Sequence, residues 1–198
     1  EDDRRICFGL GGDDAIDCLR IVVEADAPPD VAFTDATRTS PARPLVVGFQ
    51  ARDDHGIVEV DLELVAAAEL EREGVREAFA GAELIDVARW RDAPARIERA
   101  QAMDLRAHPL AGREVAVRLR ARDGAGQVAS SGIRRLTLPA RRFENPLAAA
   151  LIQLRGRLAE HPPQRRDVAV ATNRLAQATP LVKDDPGVAL ALRAASTR

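Results

Sequence analysis

Alternating hydrophobic and polar residues run through the first two thirds of the chain and predict β-strands. Apolar side chains occupy every second position in two neighbouring segments: Leu45, Val47, Phe49 and Ala51, then Val58, Val60, Leu62 and Leu64. A later pair repeats the plan at Val115, Val117, Leu119 and Ala121, and then at Leu136 and Leu138, before Pro139 ends the strand. Period-two patterns place one face of each strand toward a core, so an all-β domain is expected here.

The first residues predict a β-hairpin. Apolar residues alternate on both arms, at Ile6, Phe8 and Leu10 and then at Leu19, Ile21 and Val23. Gly12-Asp13 suits a two-residue turn, because glycine tolerates the positive φ that the first turn position requires. Paired residue numbers then sum to 25, so that Ile6 faces Leu19 and Cys7 faces Cys18 on the opposite face of the hairpin.

Cys7 and Cys18 are the only two cysteines of the chain. Two cysteines at this spacing, with no others, do not form a zinc-ligand pattern. They are either a buried pair of thiols or a disulfide, which would contribute about 2–4 kcal/mol in an oxidising compartment.

The pattern divides the chain into three parts. Residues 1–25 form the hairpin, which is either separate or the end of a preceding β module, and the prolines of "DAPPD" then favour an extended linker. Residues 26–140 form the β domain, within which "AAAELEREGVREAFA" indicates a short helix and "ELIDVARW" and "RIERAQAMDL" indicate strands. Residues 141–198 begin a helical region.

Helical periodicity starts after the last strand. Asn145 is a good N-cap and Pro146 suits the first helical position. A stripe of leucines with spacings of three and four follows, at Leu147, Leu151, Leu154 and Leu158. We expect further helices from "PPQRRDVAVATNRLAQATP" and "DPGVALALRAAS".

One short motif occurs twice. "ARDDHGIV" at 51–58 and "ARDGAGQV" at 121–128 both read Ala-Arg-Asp, two residues, Gly, one residue, Val. We interpret it as one turn used twice, in which Asp bonds its own backbone and Gly adopts a positive φ. Two such turns fit an immunoglobulin-like β-sandwich, where the second-to-third and sixth-to-seventh strand connections lie at the same end.

The repeated turns also suggest a weak metal site. Asp53, Asp54 and Asp123 come from adjacent loops of such a sandwich, and carboxylates so placed can share a Ca²⁺ ion. No dense Asp/Asn loop of the EF-hand kind accompanies them, which favours the purely structural interpretation.

Charged residues alternate on two of the predicted strands. Three acids, Glu59, Asp61 and Glu63, fall on the solvent face of one strand, and three arginines, Arg118, Arg120 and Arg122, fall on the solvent face of another. The third and sixth strands of an immunoglobulin-like sandwich are antiparallel neighbours, so the acids should pair with the arginines. The alternative is a surface that binds an anionic ligand.

Composition excludes several classes of protein. The 29 basic and 31 acidic residues give a net charge of −2, which is unlike a nucleic-acid-binding domain. No apolar run is long enough to span a bilayer. His55, His108 and His161 show no metal-ligand spacing and are expected to be surface or capping residues. Ser130 and Ser131 fall in a strand or bulge and lack a nucleophile elbow. No cofactor is expected, and the start at Glu1 suggests a piece of a longer protein.

Three motifs carry a family resemblance: "AHPLAG" at 107–112, "ARDGAGQ" at 121–127 and "LPARRFENPLAAALIQLRGRLA" at 138–159. With the upstream "PPDVAF" and "ARDDHGIVEV", the chain resembles a family of alphaproteobacterial inner-membrane proteins defined as a domain of unknown function. The resemblance covers residues 28–180. Leu110 stands where the family usually has Trp, so that packing position is altered.

The resemblance implies N-terminal transmembrane helices, periplasmic immunoglobulin-like modules and a long helical segment, and it transfers no catalytic residue. We therefore expect a non-enzymatic structural or protein-interaction module of a membrane-anchored envelope protein, on the periplasmic side of the inner membrane. A protein partner is expected, without nucleic acid and without direct membrane contact by this part. The alternatives are an accessory domain of an enzyme acting on envelope polymers, or a Ca²⁺-stiffened module.

Overall fold

A computed structural model of the chain describes residues 2–8, 17–23, 25–41, 43–160, 165–178, 187, 191–192 and 194–195, with only the backbone described for the first two ranges and for Arg165. The strands are β1 Asp2–Phe8, β2 Asp17–Val23, β3 Asp30–Phe33, β4 Leu45–Arg52, β5 Ile57–Ala66, β6 Glu83–Arg89, β7 Arg96–Met103, β8 Glu114–Asp123, β9 Val128–Ser130 and β10 Arg134–Thr137. The helices are α1 Ala67–Ala80, α2 Pro146–Glu160 and α3 Arg165–Gln177. The expected mainly β fold with C-terminal helices is confirmed.

Two antiparallel sheets form a β-sandwich. One sheet has the order β3-β4-β7, and the other has the order β10-β8-β5-β6, with β9 also paired to β8. Between β9 and β10 the ladder is interrupted at Ser131, whose hydroxyl accepts a hydrogen bond from the Leu119 N–H at 2.9 Å. β9 and β10 are thus two parts of one edge strand, separated by a bulge at Ser131.

The core lies between the facing sheets. Alternate residues of three central strands are almost fully buried: Leu45, Val47 and Phe49 on β4, Val60, Leu62 and Leu64 on β5, and Val115, Val117 and Leu119 on β8. Burial of this apolar surface is the main term that stabilises the fold, at roughly 25 cal/mol per Å² of apolar area.

The register of β5 departs from the simple alternation at its first residues. A bulge between Ile57 and Glu59 shifts the pairing with β8. Ile57 is therefore fully buried, whereas Val58, which the alternation assigned to the core, is half-buried. An extra residue in one strand reverses the faces on which the preceding side chains lie.

The prediction of a solvent-exposed acidic face on β5 is wrong. Asp61 is 4% exposed and Glu63 is 7% exposed, because β6 lies beside β5 and the helix α1 packs over the same face of the sheet. Phe79 of α1 belongs to a small apolar cluster with Val65 and Ala116 on the outer side of the sheet. The helix α1 thus covers part of the outer face of this sheet and buries both apolar and charged side chains there.

The N-terminal hairpin has the predicted register. β1 and β2 are antiparallel, with Ile6 opposite Leu19 and Cys7 opposite Cys18. The turn at Gly12-Asp13 and the cysteine side chains lie outside the described residues, so the disulfide stays a prediction.

The junction between strands and helices is also confirmed. β10 ends at Thr137 and α2 begins at Pro146. The side chain of Asn145 caps the helix, since its Oδ1 accepts hydrogen bonds from the N–H groups of Leu147 at 2.8 Å and Ala148 at 3.2 Å. Leu147 then packs with Ala176 of α3 and with Leu192. Most of the predicted third helix lies outside the described residues.

None of the helices in the described ranges has the length and apolar character needed to cross a bilayer.

Candidate functional site

The two copies of the repeated turn meet at one end of the sandwich, as predicted. The N–H of Gly124, after β8, donates to the carbonyl of Gly56, before β5, at 2.9 Å. The first turn carries the chain from one sheet to the other, whereas the second joins β8 to β9 within one sheet. The same motif therefore serves both a crossover and a hairpin.

All three predicted aspartates lie at this end. Asp53 accepts a hydrogen bond from the His55 N–H at 2.8 Å, and Asp123 accepts one from the Gln127 N–H at 2.7 Å. These are the backbone bonds that the structural interpretation of the motif predicted. Asp54, in contrast, is exposed.

The linker adds a fourth carboxylate, which the sequence pattern did not single out. The carbonyl of Asp26 accepts a hydrogen bond from Gln127 Nε2 at 3.1 Å, which ties the linker to the second turn. The Asp26 carboxylate lies 2.6 Å from His55 Nδ1 in the first turn. The only sequence signal was an aspartate two residues before the first of the two prolines of the linker.

Besides Asp26 Oδ1, which lies against His55 Nδ1, two buried carboxylate oxygens at this end lack hydrogen-bond donors among the described residues. Oδ1 of Asp53 and Oδ2 of Asp123 are buried, and no residue within the described ranges donates to either. Asp123 is only 1% exposed. A buried acceptor without a donor costs about 1–3 kcal/mol, and more when the group is charged.

Electrostatics shows that the carboxylates repel one another. Burial raises the pKa of Asp53, and the charges of Asp123, Asp54 and Asp26 raise it further, against the bond from the His55 N–H. The charge of Asp26 raises the pKa of His55, with a smaller effect from the hydrogen bond to Asp54. The fold thus places the imidazole of His55, which can carry a positive charge, against this cluster.

The second predicted feature, the pairing of acids with arginines, is confirmed at two of its three positions. β5 and β8 are antiparallel neighbours, and their register places Glu59 opposite Arg122, Asp61 opposite Arg120 and Glu63 opposite Arg118. Arg118 Nε donates to Glu63, and Arg122 Nη2 donates to Glu59.

The middle position differs from the prediction. The guanidinium that the structure places against Asp61 belongs to Arg89 of β6, at 3.6 Å, rather than to Arg120. Burial raises the pKa of Asp61 to about 6, and hydrogen bonding to Glu59 and repulsion by its charge act in the same direction. The proton of Asp61 lowers the pKa of Glu59 through this bond, as does Arg122 to a smaller degree.

Replacing Asp61 by Asn is expected to stabilise the domain above the pKa of this carboxyl. The folded-state pKa of about 6 exceeds the ordinary aspartate value of 3.8, so the contribution of Asp61 to stability is complete below the lower value and is lost as pH rises through the higher one. The amide of the asparagine would keep a donor to Glu59 without the charge. Urea unfolding should show a gain of about 1–2 kcal/mol near pH 7.5 and no gain near pH 4.

Asp86→Asn is the matched control, because Asp86 lies near the same Arg89 at 3.7 Å but is exposed. Its effect should stay below about 0.5 kcal/mol at either pH. A loss of stability in Asp61→Asn that is equal at both pH values would contradict the assignment of a protonated Asp61.

A third polar cluster joins the sandwich to α2. The loop of residues 104–113 contains the "AHPLAG" motif, and Arg155 of α2 donates to the carbonyls of Ala107 at 3.2 Å and His108 at 2.9 Å. Leu110 of the same loop is buried in the main core. The motif therefore anchors the helix to the sandwich.

His108 holds this loop in place. Its Nδ1 accepts a hydrogen bond from the Leu110 N–H at 3.0 Å, so Nε2 carries the proton and donates to Glu83 at 2.9 Å. The imidazole is 7% exposed and accepts a backbone N–H of its own loop, so of the two expected roles, surface or capping, His108 has the second. His55 is exposed as expected, and His161 lies outside the described residues.

Arg113, in the loop before β8, adds a second polar contact between the sandwich and α2. Its guanidinium reaches Gln153 of α2 at 3.4 Å and Glu160 at 3.6 Å. A Cβ on Gly156 would lie 2.9 Å from Arg113 Nε, so a larger residue there would require the arginine side chain to shift. The leucine stripe of α2 contributes Leu154, which is buried.

The anchored helix and the strands before it follow the pattern of one protein family, whose model matches residues 7–198. The chain belongs to this family, the domain of unknown function DUF4175. No curated protein matches the sequence. The repeated turns, the "AHPLAG" loop and the capped helix α2 of this DUF4175 chain all lie within the matched residues.

Proposed function

We propose that this DUF4175 chain is a non-enzymatic structural or protein-interaction module of a membrane-anchored envelope protein. The observation that carries the proposal is the docking of α2 on the sandwich. Arg155 of α2 and Arg113 of the sandwich form polar contacts across the junction. Leu154 of α2 is buried. A helix held in this way transmits the orientation of the sandwich to the helical region that follows.

We infer that the sandwich is of the immunoglobulin-like kind. Numbered from β3 to the divided strand β9/β10, its strands have the order first-second-fifth in one sheet and seventh-sixth-third-fourth in the other. That order, and the meeting of the second-to-third and sixth-to-seventh turns at one end, support this assignment. Such modules commonly act as spacers and as docking surfaces.

The proposed location is the periplasmic side of the inner membrane. Its support is the resemblance of the three motifs to alphaproteobacterial inner-membrane proteins, together with the register that sets Cys7 opposite Cys18. Disulfides form and persist in the periplasm. A phosphatase reporter that is active only outside the cytoplasm, fused after Arg198 in the full-length protein, tests the location.

Electron-spin distance measurements test the structural role. Spin labels at Glu98 of β7 and Leu158 of α2, in a chain with serine at positions 7 and 18, should give one narrow distance distribution. The double variant Arg113→Ala/Arg155→Ala should broaden it, because it removes the polar contacts that orient the helix. Arg157→Ala is the matched control, since Arg157 is exposed on the same helix.

A broad distribution in the parent chain would contradict a rigid connection. A narrow distribution that the double variant leaves unchanged would show that these arginines do not orient α2. Either result would remove the observation on which the proposed role depends.

A further inference from the structure

We propose that the end of the sandwich opposite the repeated turns binds the phosphate group of a phosphate ester, in a cavity lined by Arg141 and Arg142. This binding role is separate from the structural role of the chain and does not depend on it.

The cavity lies where the last strand of the sandwich ends and the chain turns toward α2. β8 and β10 are antiparallel, so the start of β8 and the end of β10 lie together at this end. The cavity has a volume of about 360 Å³, which is enough for one phosphate group with a small organic substituent. Its lining includes the apolar residues Pro41 and Leu138 as well as the two arginines.

Hydrogen bonds between distant segments fix the walls of this cavity. The hydroxyl of Thr39 donates to the carbonyl of Thr137 at 2.8 Å. The N–H of Ala140 donates to the carbonyl of Pro41 at 3.3 Å. The loop between β3 and β4 is therefore tied to the segment that follows β10, and a cavity that is formed before the ligand arrives loses less free energy on binding.

Four arginines are grouped around this cavity without acidic partners. Arg141 and Arg142 are exposed, and neither forms an ion pair within the part of the chain that the structure describes. A neighbouring cavity of about 290 Å³, which shares Thr39, is lined by Arg38 and Arg43, and the same holds for both of them. No carboxylate occurs among the described lining residues of either cavity. An anion from outside the chain would meet this uncompensated positive charge.

Asp104 does not neutralise the arginines at this end. Hydrogen bonds from Arg106 hold the pKa of Asp104 well below its ordinary value, and the charge of Arg141 contributes only a small part of this effect. Arg106 donates to each of the two carboxylate oxygens at 2.8 Å. The negative charge of Asp104 is thus already matched by a cation that lies outside the lining of the cavity.

The chemistry of these residues favours a phosphate ester over other anions. A guanidinium presents paired N–H donors that match two oxygens of a phosphate. A phosphate monoester carries a charge of roughly −1.5 to −2 near neutral pH and three acceptor oxygens, so several arginines can contact it from different sides. A carboxylate offers one charge and two oxygens. The apolar lining at Pro41 and Leu138 would accept an uncharged substituent of the ester.

The test measures thermal unfolding of the 198-residue chain with glycerol 3-phosphate as the probe. With a Kd on the order of 1 mM, about 20 mM of the ester should raise Tm by about 3–7 °C. The reference is glycerol at the same concentration in sodium chloride of equal ionic strength, which supplies the same screening without a phosphate group. In a nuclear magnetic resonance titration, the amide shifts should be largest around Thr39 and Arg141 and should saturate with a single Kd.

Three double variants make the test specific. Arg141→Gln/Arg142→Gln should abolish the rise in Tm. Arg141→Lys/Arg142→Lys keeps both charges but lacks the paired donors, so its Kd should increase by at least about 5-fold. Arg120→Gln/Arg122→Gln is the matched control, because it removes the same charge from the ladder of β8 and should keep the rise in full relative to its own Tm in sodium chloride.

Sedimentation with lipid vesicles distinguishes the two sources of such a phosphate group. Binding to phosphatidylglycerol vesicles, but not to phosphatidylcholine vesicles, that Arg141→Gln/Arg142→Gln loses would assign the site to a lipid headgroup. A rise in Tm with glycerol 3-phosphate and no binding to either kind of vesicle would assign it to a soluble ester.

The proposal is overturned by the absence of a rise in Tm with glycerol 3-phosphate. It is equally overturned if sodium chloride reproduces the rise, or if the glutamine or the lysine variant at positions 141 and 142 retains it in full. Each of these results would show a general effect of salt on the arginines without a built site.

Discussion

Gly56→Ala is expected to reduce the free energy of unfolding by at least about 3 kcal/mol. Gly56 has φ +83°, a left-handed conformation that costs an alanine about 1 kcal/mol or more. In addition, a Cβ at this position would lie 1.8 Å from the carbonyl oxygen of Ala93. The backbone of the segment before β7 would have to move, which would break the hydrogen bond from Ile57 N to Pro94 O.

Gly126 is the matched control, because it is the glycine of the second copy of the motif. Its φ is +95°, but a Cβ there would have no atom within 4 Å. Gly126→Ala should therefore cost only the conformational term, about 1 kcal/mol. Chemical denaturation of both variants measures the difference, and equal losses would contradict the close crossing of the chain at Gly56.

The two glycines show how far the repeated motif could be interpreted from sequence. Turn chemistry at Asp53 and Asp123 correctly predicted backbone hydrogen bonds from residues two and four positions later. The sequence could not show that Gly56 lies under another segment while Gly126 lies in the open, because that depends on the path of residues 90–95. Local patterns determine a turn, whereas its surroundings depend on distant parts of the chain.

The same distinction applies to the candidate site. Period-two alternation located β4, β5 and β8 and the register that pairs Glu63 with Arg118. It could not reveal the burial of Asp61 and Glu63, because α1 folds back over a face that the pattern alone assigns to solvent. The position of Asp26 beside the first turn likewise depends on the linker, whose prolines indicate an extended chain but not the direction in which it runs.

The second large effect is expected at the buried ion pair of the ladder. Arg118→Ala should reduce the free energy of unfolding by about 2–4 kcal/mol, because it leaves Glu63 charged, nearly buried and without its guanidinium. The variant also removes the cation–π contact of Arg118 with Phe79, whose ring centre lies 4.3 Å from Cζ. Urea unfolding at neutral pH measures the loss.

Arg122→Ala is the matched control on the same strand. Its side chain is 49% exposed, and its partner Glu59 keeps Arg89 at 3.3 Å. The loss should be below about 1 kcal/mol, as for other exposed ion pairs. The two positions share a strand, a face and a type of partner, so the contrast measures burial together with the Phe79 contact of Arg118 and the second arginine of Glu59.

The double variant Glu63→Leu/Arg118→Met tests whether the fold requires this ion pair, or whether stability is lost only when one charged partner is removed and the other stays buried. An apolar pair of similar size would pack beside Phe79 and leave no uncompensated charge, so its stability should lie within about 1 kcal/mol of the parent chain. Arginines that served an anionic ligand instead would give small, equal losses in Arg118→Ala and Arg122→Ala, and stabilisation of the parent chain by added phosphate. The ladder would then be a binding surface, and the pairing of β5 with β8 would require another explanation.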